Sequence, residues 1–413
     1  MSAARRLRTR TFAALSVRNF RLYFVGQLIS VSGTWMQSVA QGWLILQLTG
    51  SAIGLGVAIA LQYVPMLIFG TYGGLVVDRH AKRPILYLTQ SAAGLLALAL
   101  GVLVSTHHVT VPAVWILASL LGVVNMFDVP ARQAFVQEMV GRDLIANAVS
   151  LNSVLMNSGR LIGPSIAAGF IAVVGTAACF YANAASYVGV LVALVMMRRR
   201  EFLPLATVER QRGQLRLGLR YVMSTPTLRN VILSVAIAGT FAYNFTVSLP
   251  LLSRVTFHES SAAHYGLLMG AMGLGAVVGG LFIAWRSRPT RLLLAGLGLG
   301  FGLFMTSVAL APTVVWAEVL MVPTGAFSVA FVSTANALLQ LNSSPEMRGR
   351  VMSLYGIAFL GTTPIGAPLI GLIDGASNPR VGMLVGAASA LLTTAMLAVH
   401  RARVRVVAAP ATA

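Results

Sequence analysis

Between Phe20 and Val399 the chain runs again and again for about twenty residues with almost no formal charge, the length an α-helix needs to cross a bilayer. Such segments follow one another along nearly all of its 413 residues. They fall at Phe20 to Leu46, Ile53 to Val77, Ile85 to Thr106, Val111 to Phe135, Ala146 to Val174 and Ala177 to Met197, then at Val231 to Leu252, Ala262 to Trp285, Leu292 to Ala311, Thr313 to Leu339, Val351 to Ile373 and Val381 to Val399. This predicts an all-α polytopic membrane protein with twelve transmembrane helices. Composition excludes a soluble domain, because 57% of residues are hydrophobic and 10% charged, against about 25% charged in soluble proteins.

A net charge of +20 raises the question of nucleic acid, whose phosphates attract basic surfaces. The positions of the bases argue against it. They gather in short loops on alternate sides of the apolar runs, the bias that keeps Lys and Arg in the cytoplasm, and only Arg254 and Arg380 fall in loops on the other side. This predicts a multi-pass protein of the cytoplasmic (inner) membrane with both termini inside, in contact with lipid and not with nucleic acid. Arg5, Arg6, Arg8 and Arg10 are then a cytoplasmic tail, since no short apolar core with a cleavage site follows them. The single Cys179 permits no internal disulfide.

The runs form two sets of six. A polar, Arg-rich segment at 198–228 separates 1–197 from 229–413, and we expect two six-helix bundles joined by a cytoplasmic linker. Inside the linker Leu215, Leu219 and Val222 recur at helical spacing with Arg216 and Arg220 on the other face, which suits either a helix in the headgroup region or a solvated connector. The halves repeat. A shift of 203 sets Ala134, Gln137, Ser150, Leu151, Ile162 and Gly163 over identical residues, so the two bundles are predicted to be pseudo-symmetric about an axis along the membrane normal.

Between the second and third runs the apolar sequence stops at Gly73–Gly74–Leu75–Val76–Val77–Asp78–Arg79–His80–Ala81–Lys82–Arg83, a charged hairpin at one edge of the bilayer. The pattern Gly74-x-x-x-Asp78-Arg79-x-x-Lys82-Arg83 resembles the loop 2-3 signature of the major facilitator superfamily, with Ala81 where a glycine is usual. Gly159-x-x-x-Gly163-Pro164 is similar to the span-five motif of drug:proton exporters, with Ala167 and Ala168 in place of a following glycine pair. The stretches from Gly26 to Gln37 and from Asp128 to Phe135 are similar to the twelve-span branch that contains enterobactin exporters.

The resemblance implies a gating network of Gly74, Asp78, Arg79, Lys82, Arg83, Asp128 and Arg132. In it Asp78 faces the start of span eleven, around Arg350 to Leu354. Lys82 pairs with Asp128, and Arg132, one turn on, shares the carboxylate. Asp128 is open to a second role, carrying a proton, as is Glu318, for which solvation by headgroups is the alternative. Arg160, in mid-span, belongs either to a cavity or to a structural partner. Gln37 and Gln41 share a face of span one and either line a substrate cavity or bind helices together, and Tyr243 and Asn244 are the corresponding candidates in span seven.

The glycines between Gly266 and Gly280 follow no strand and suit close helix contact rather than a dinucleotide. His107, His108, His258 and His264 lie in loops without further ligands at metal spacing, so no metal, cofactor or enzymatic activity is expected. The expected function is secondary active export of a small molecule (drug-like compound, siderophore or other metabolite) by a monomer, through alternating access with proton antiport. An importer, a lysophospholipid flippase and a non-transporting receptor remain open.

Overall fold

A computed structural model describes residues 12–203, 214–286, 289–359 and 361–408. The expectations for Arg5, Arg6, Arg8 and Arg10 lie outside the described residues, as does the Leu215 side chain. The described chain is a succession of helices: α1 (Arg18–Thr49), α2 (Ala52–Arg79), α3 (Lys82–Ser105), α4 (Val111–Gly141), α5 (142–173), α6 (Thr176–Met196) and the short α7 (Gln214–Ser224). It continues with α8 (Pro226–Phe241), α9 (Phe245–Leu251), α10 (Ala263–Arg286), α11 (Arg291–Ala309), α12 (Val314–Leu341), α13 (Pro345–Phe359), α14 (Thr363–Ala376) and α15 (Pro379–Ala408).

Among the described residues ten segments are long and apolar enough to cross a membrane, with α8–α9 and α13–α14 each read as one. The long helices α1 and α5 carry more polar side chains, and with them the count agrees with the expected twelve. Inside a bilayer the backbone must satisfy its own hydrogen bonds, which is why sequences this apolar adopt helix throughout. Local chemistry sets the ends. Thr110, Thr290 and Thr313 each accept a hydrogen bond from a backbone N–H in the first turn of α4, α11 and α12. Gly141 separates α4 from α5 with φ 72° and ψ −177°, a conformation open to glycine and costly for other residues.

The charged hairpin is tighter than its sequence suggested: α2 runs through Asp78 to Arg79 and α3 begins at Lys82. Span seven breaks at 242–244, between α8 and α9, and span eleven between Phe359 and Thr363. The face expected on α7 is corrected: Val222 is 2% exposed, whereas Leu219 is 50% exposed beside Arg216 and Arg220. Gly218 lies against Arg350 and Leu354 of α13, and the Tyr221 hydroxyl accepts from the Ser344 N–H, so the helix docks by that side.

Two compact units result. Unit 1 comprises Met1–Gly50, Leu61–Glu209 and Ser261–Gly270; unit 2 comprises Ser51–Ala60, Arg210–Ser260 and Ala271–Ala413. Small residues make the contacts within each. In unit 1 a methyl group added at Gly163 would stand 2.6 Å from Trp35 Cβ and one at Gly266 would stand 2.7 Å from Ala168 Cβ. In unit 2 Gly275 and Gly279 of α10 lie against Val322 and Ala326 of α12, and Gly325 returns the contact to Met272. Without a hydrophobic force between helices in lipid, this close approach is what holds them.

Candidate functional site

The interior of unit 1 contains a buried ionic cluster. Asp128, on α4, is 3% exposed. Its Oδ1 accepts from Thr89 Oγ1 at 2.8 Å and from Gln90 Nε2 at 2.7 Å, both on α3, and its Oδ2 lies 2.7 Å from Arg132 Nε. Arg132 Nη1 donates onward to Gln27 Oε1 of α1 at 3.2 Å. Three helices are thus tied through one ion pair. A spacing of four between Asp128 and Arg132 brings the two onto one helix face, and the low dielectric makes each bond to a charge stronger than its counterpart in water.

Lys82 does not pair with Asp128. Its ammonium lies 3.8 Å from Glu138 Oε1 and donates to the carbonyls of Asp78 and His80 at 3.4 and 3.0 Å. Depth explains the change of partner. Lys82 stands eight residues before Gln90, about 12 Å along α3, and Glu138 stands ten after Asp128, about 15 Å along α4. The sequence pattern has therefore split into two ionic layers, with Glu138 the acid that the sequence reading missed.

Arg83 does different work from its neighbour. Its guanidinium donates to the carbonyls of Leu194, Val195 and Met197 at the end of α6 and lies 5.6 Å from the Tyr87 ring. A cation at a helix C-terminus meets the negative end of the backbone dipole. Asn19 ties the same region to α1, exchanging two 3.0 Å hydrogen bonds with the backbone of Arg198. Asp78 is half-buried in the last turn of α2, Arg79 is exposed, and Gly74 is buried. Gly73 sets α2 directly against the Met126 backbone of α4.

Arg160 stacks over Trp35 of α1, 4.7 Å from the ring centroid. The glycines of the span-five motif, one residue before it and three after, pack on α1: Gly159 meets Val31, and Gly163 meets Ser32, Trp35 and Met36. Pro164 follows within α5 and its carbonyl lies beside Gly266. Gln37 accepts from Asn183 Nδ2 of α6 at 2.6 Å, so it binds two helices together, and Gln41 is buried one turn on.

In unit 2 the span-seven candidates sit at the break between α8 and α9. Tyr243 donates to the Ser328 carbonyl at 2.7 Å and packs among Phe245, Phe301 and Phe359, with centroids 5.0 to 6.4 Å away. Asn244, 5% exposed, donates to the Thr240 carbonyl at 2.6 Å. Glu318 is half-buried in the second turn of α12, flanked by exposed Trp316 and Val319. No group of three or more metal-ligating side chains occurs among the described residues.

A helical membrane protein with glycine-packed spans and a buried ion pair is the class of a polytopic transporter rather than an enzyme. The chain belongs to the transmembrane secretion effector family of the major facilitator superfamily, whose model matches residues 9–413. It is 24% identical over 360 residues to the staphyloferrin A transporter of Staphylococcus aureus, covering 85% of this chain and 88% of that one. It is 25% identical over 374 residues to the multidrug efflux pump Tap of Mycolicibacterium fortuitum (86% and 89% covered) and 26% identical over 368 residues to the enterobactin exporter EntS of Shigella boydii (87% and 86%). Its fold is similar to that of a bacterial homolog of the human lysosomal transporter Spinster, solved in an inward-facing and unoccupied conformation, with TM-score 0.69, 15% identity and 94% and 96% coverage.

Proposed function

We propose that this transporter exports a small molecule, a siderophore or drug-like compound, from the cytoplasm by alternating access, driven by protons moving inward. The observation that carries this reading is the family match along 405 residues, 9 to 413, together with relatives named as a siderophore exporter and a multidrug efflux pump. Two pseudo-symmetric halves, 1–197 and 229–413, joined through 198–228, supply the two bodies that alternating access requires. The Lys and Arg bias supports a reading with both termini in the cytoplasm of an inner-membrane protein.

In this reading the layer of Asp78, Lys82 and Glu138 latches the cytoplasmic side, and the Asp128–Arg132 pair responds to protons. Protonating Asp128 would release Arg132 and the donors on Thr89 and Gln90, coupling charge to the packing of α1, α3 and α4. Efflux measured in inverted vesicles, with and without an imposed pH gradient, tests it. Accumulation that ignores the gradient would overturn antiport, and accumulation in the opposite sense would make the protein an importer. Replacing Asp78, Asp128 or Glu138 by the neutral amide is expected to slow turnover while substrate still binds. Normal turnover by all three variants at normal expression would remove the latch.

A further inference from the structure

Unit 2 holds one deeply buried acid, and nothing in the mechanism above uses it. Asp374 lies in the last turn of α14, 5% exposed. Its Oδ2 accepts a hydrogen bond from Ser248 Oγ of α9 at 3.0 Å. Its Oδ1 is buried without a hydrogen bond of ordinary geometry and rests against Gly382 of α15, where an added methyl group would overlap the carboxyl group. Ser248 is itself 4% exposed.

The elements packed around it bring no compensating charge. Asp374 is the one titratable residue of α14, α9 has none, and the start of α2, which meets Gly371 and Gly375, has none. Arg229 stands in the first turn of α8, eleven residues before Thr240, where that helix meets Gly366 of α14. In the segment Leu252–Thr256, Arg254 has interactions of its own, and Ser248 and Gly382 are the neighbours that bear on the Asp374 carboxyl. Arg380 of α15 is held by the carbonyls of Ala309 and Ala311 at 3.0 and 2.9 Å and by the Phe257 ring. Among the described residues no ion pair reaches Asp374.

A buried carboxylate without a cation is an expensive group, retained where it has a task. Water is near at hand. The residues that follow, Gly375 to Asn378, are exposed, so less than one helical turn separates the carboxyl from the loop between α14 and α15. We infer that Asp374 is a proton-exchange site of unit 2, taking a proton from the aqueous phase at that loop and holding it between Ser248 and Gly382. The step forms an O–H bond on Oδ1, the oxygen that Ser248 does not reach, from a hydronium ion that becomes water. Release breaks the same bond and returns the proton to water. As the coupling site of an antiporter it rests on the export reading above, whereas as a proton site it stands on this geometry alone.

Dicyclohexylcarbodiimide, which adds to protonated carboxyl groups in apolar surroundings, tests the site on the intact purified protein, with peptide mass spectrometry to locate the label. Asp374 is expected to be labelled at neutral pH and to lose labelling as pH rises. Ser248→Ala removes the side-chain donor to the anion, so the half-labelling point should move up by about one pH unit. An unlabelled Asp374, labelling that does not vary with pH, or an unmoved half-point in Ser248→Ala would overturn the proposal. A titrating label beside gradient-insensitive efflux would sink the coupling role and keep the site. Gradient-driven efflux with no label at Asp374 would overturn the site and its coupling role together and leave the export reading standing.

Discussion

The interiors of the two units hold themselves together by different chemistry. In unit 1 an ion pair with three further hydrogen-bond partners ties α1, α3 and α4. The internal repeat places Asp128 opposite Phe331 and Arg132 opposite Ala335, both fully buried in α12. Unit 2 therefore fills with aromatic and small side chains the level at which unit 1 carries charge. A polar interior is costly to assemble in lipid and an aromatic one is not, so at this level the two halves of a repeated scaffold are built to different rules. The outlying acid of unit 2, Asp374, sits at the far end of span eleven and not at the repeat-related position.

The largest effect expected from disturbing this contrast is that of Arg132→Ala, which strands a buried carboxylate and should cost about 3 to 5 kcal/mol, read as the shift in detergent-solubilised unfolding. The double variant Asp128→Phe with Arg132→Ala copies unit 2 and should recover most of that stability. A double variant no more stable than the single one would show that the two interiors are not interchangeable. Phe301→Ala opens a cavity beside Tyr243 and Phe245 and should cost about 3 kcal/mol, with no dependence on pH. Thr89→Ala removes one donor to the Asp128 carboxylate, worth about 1.5 to 3 kcal/mol, and a loss that fades at low pH would mark it as charge-dependent. Tyr243→Phe deletes a single neutral hydrogen bond across helices and should cost about 0.6 kcal/mol, near the limit of the same measurement.

The helical membrane class was legible because bilayer thickness fixes a length and the chain shows that length repeatedly. The side-chain partners were not, since they depend on helix rotation and depth. Lys82 meets Glu138 and not Asp128 because α3 and α4 enter the membrane at levels that no spacing within one helix reports. A signal did exist in Glu138 itself, an acid one turn from the end of α4 and level with a hairpin rich in bases. Asp374 passed unremarked because an acid one residue beyond a predicted span reads as solvated. The polar face of span one was visible as a pattern, yet its assignment to a helix contact at Gln37 needed Asn183, which lies 146 residues away.

The joint at Gly141 has a consequence for movement. With one residue between α4 and α5, the helix bearing Asp128 and the helix bearing Arg160 share a single glycine as their joint. On the export reading proposed above, that joint would work as the pivot of a bell-crank, and stiffening it would hold back both arms together.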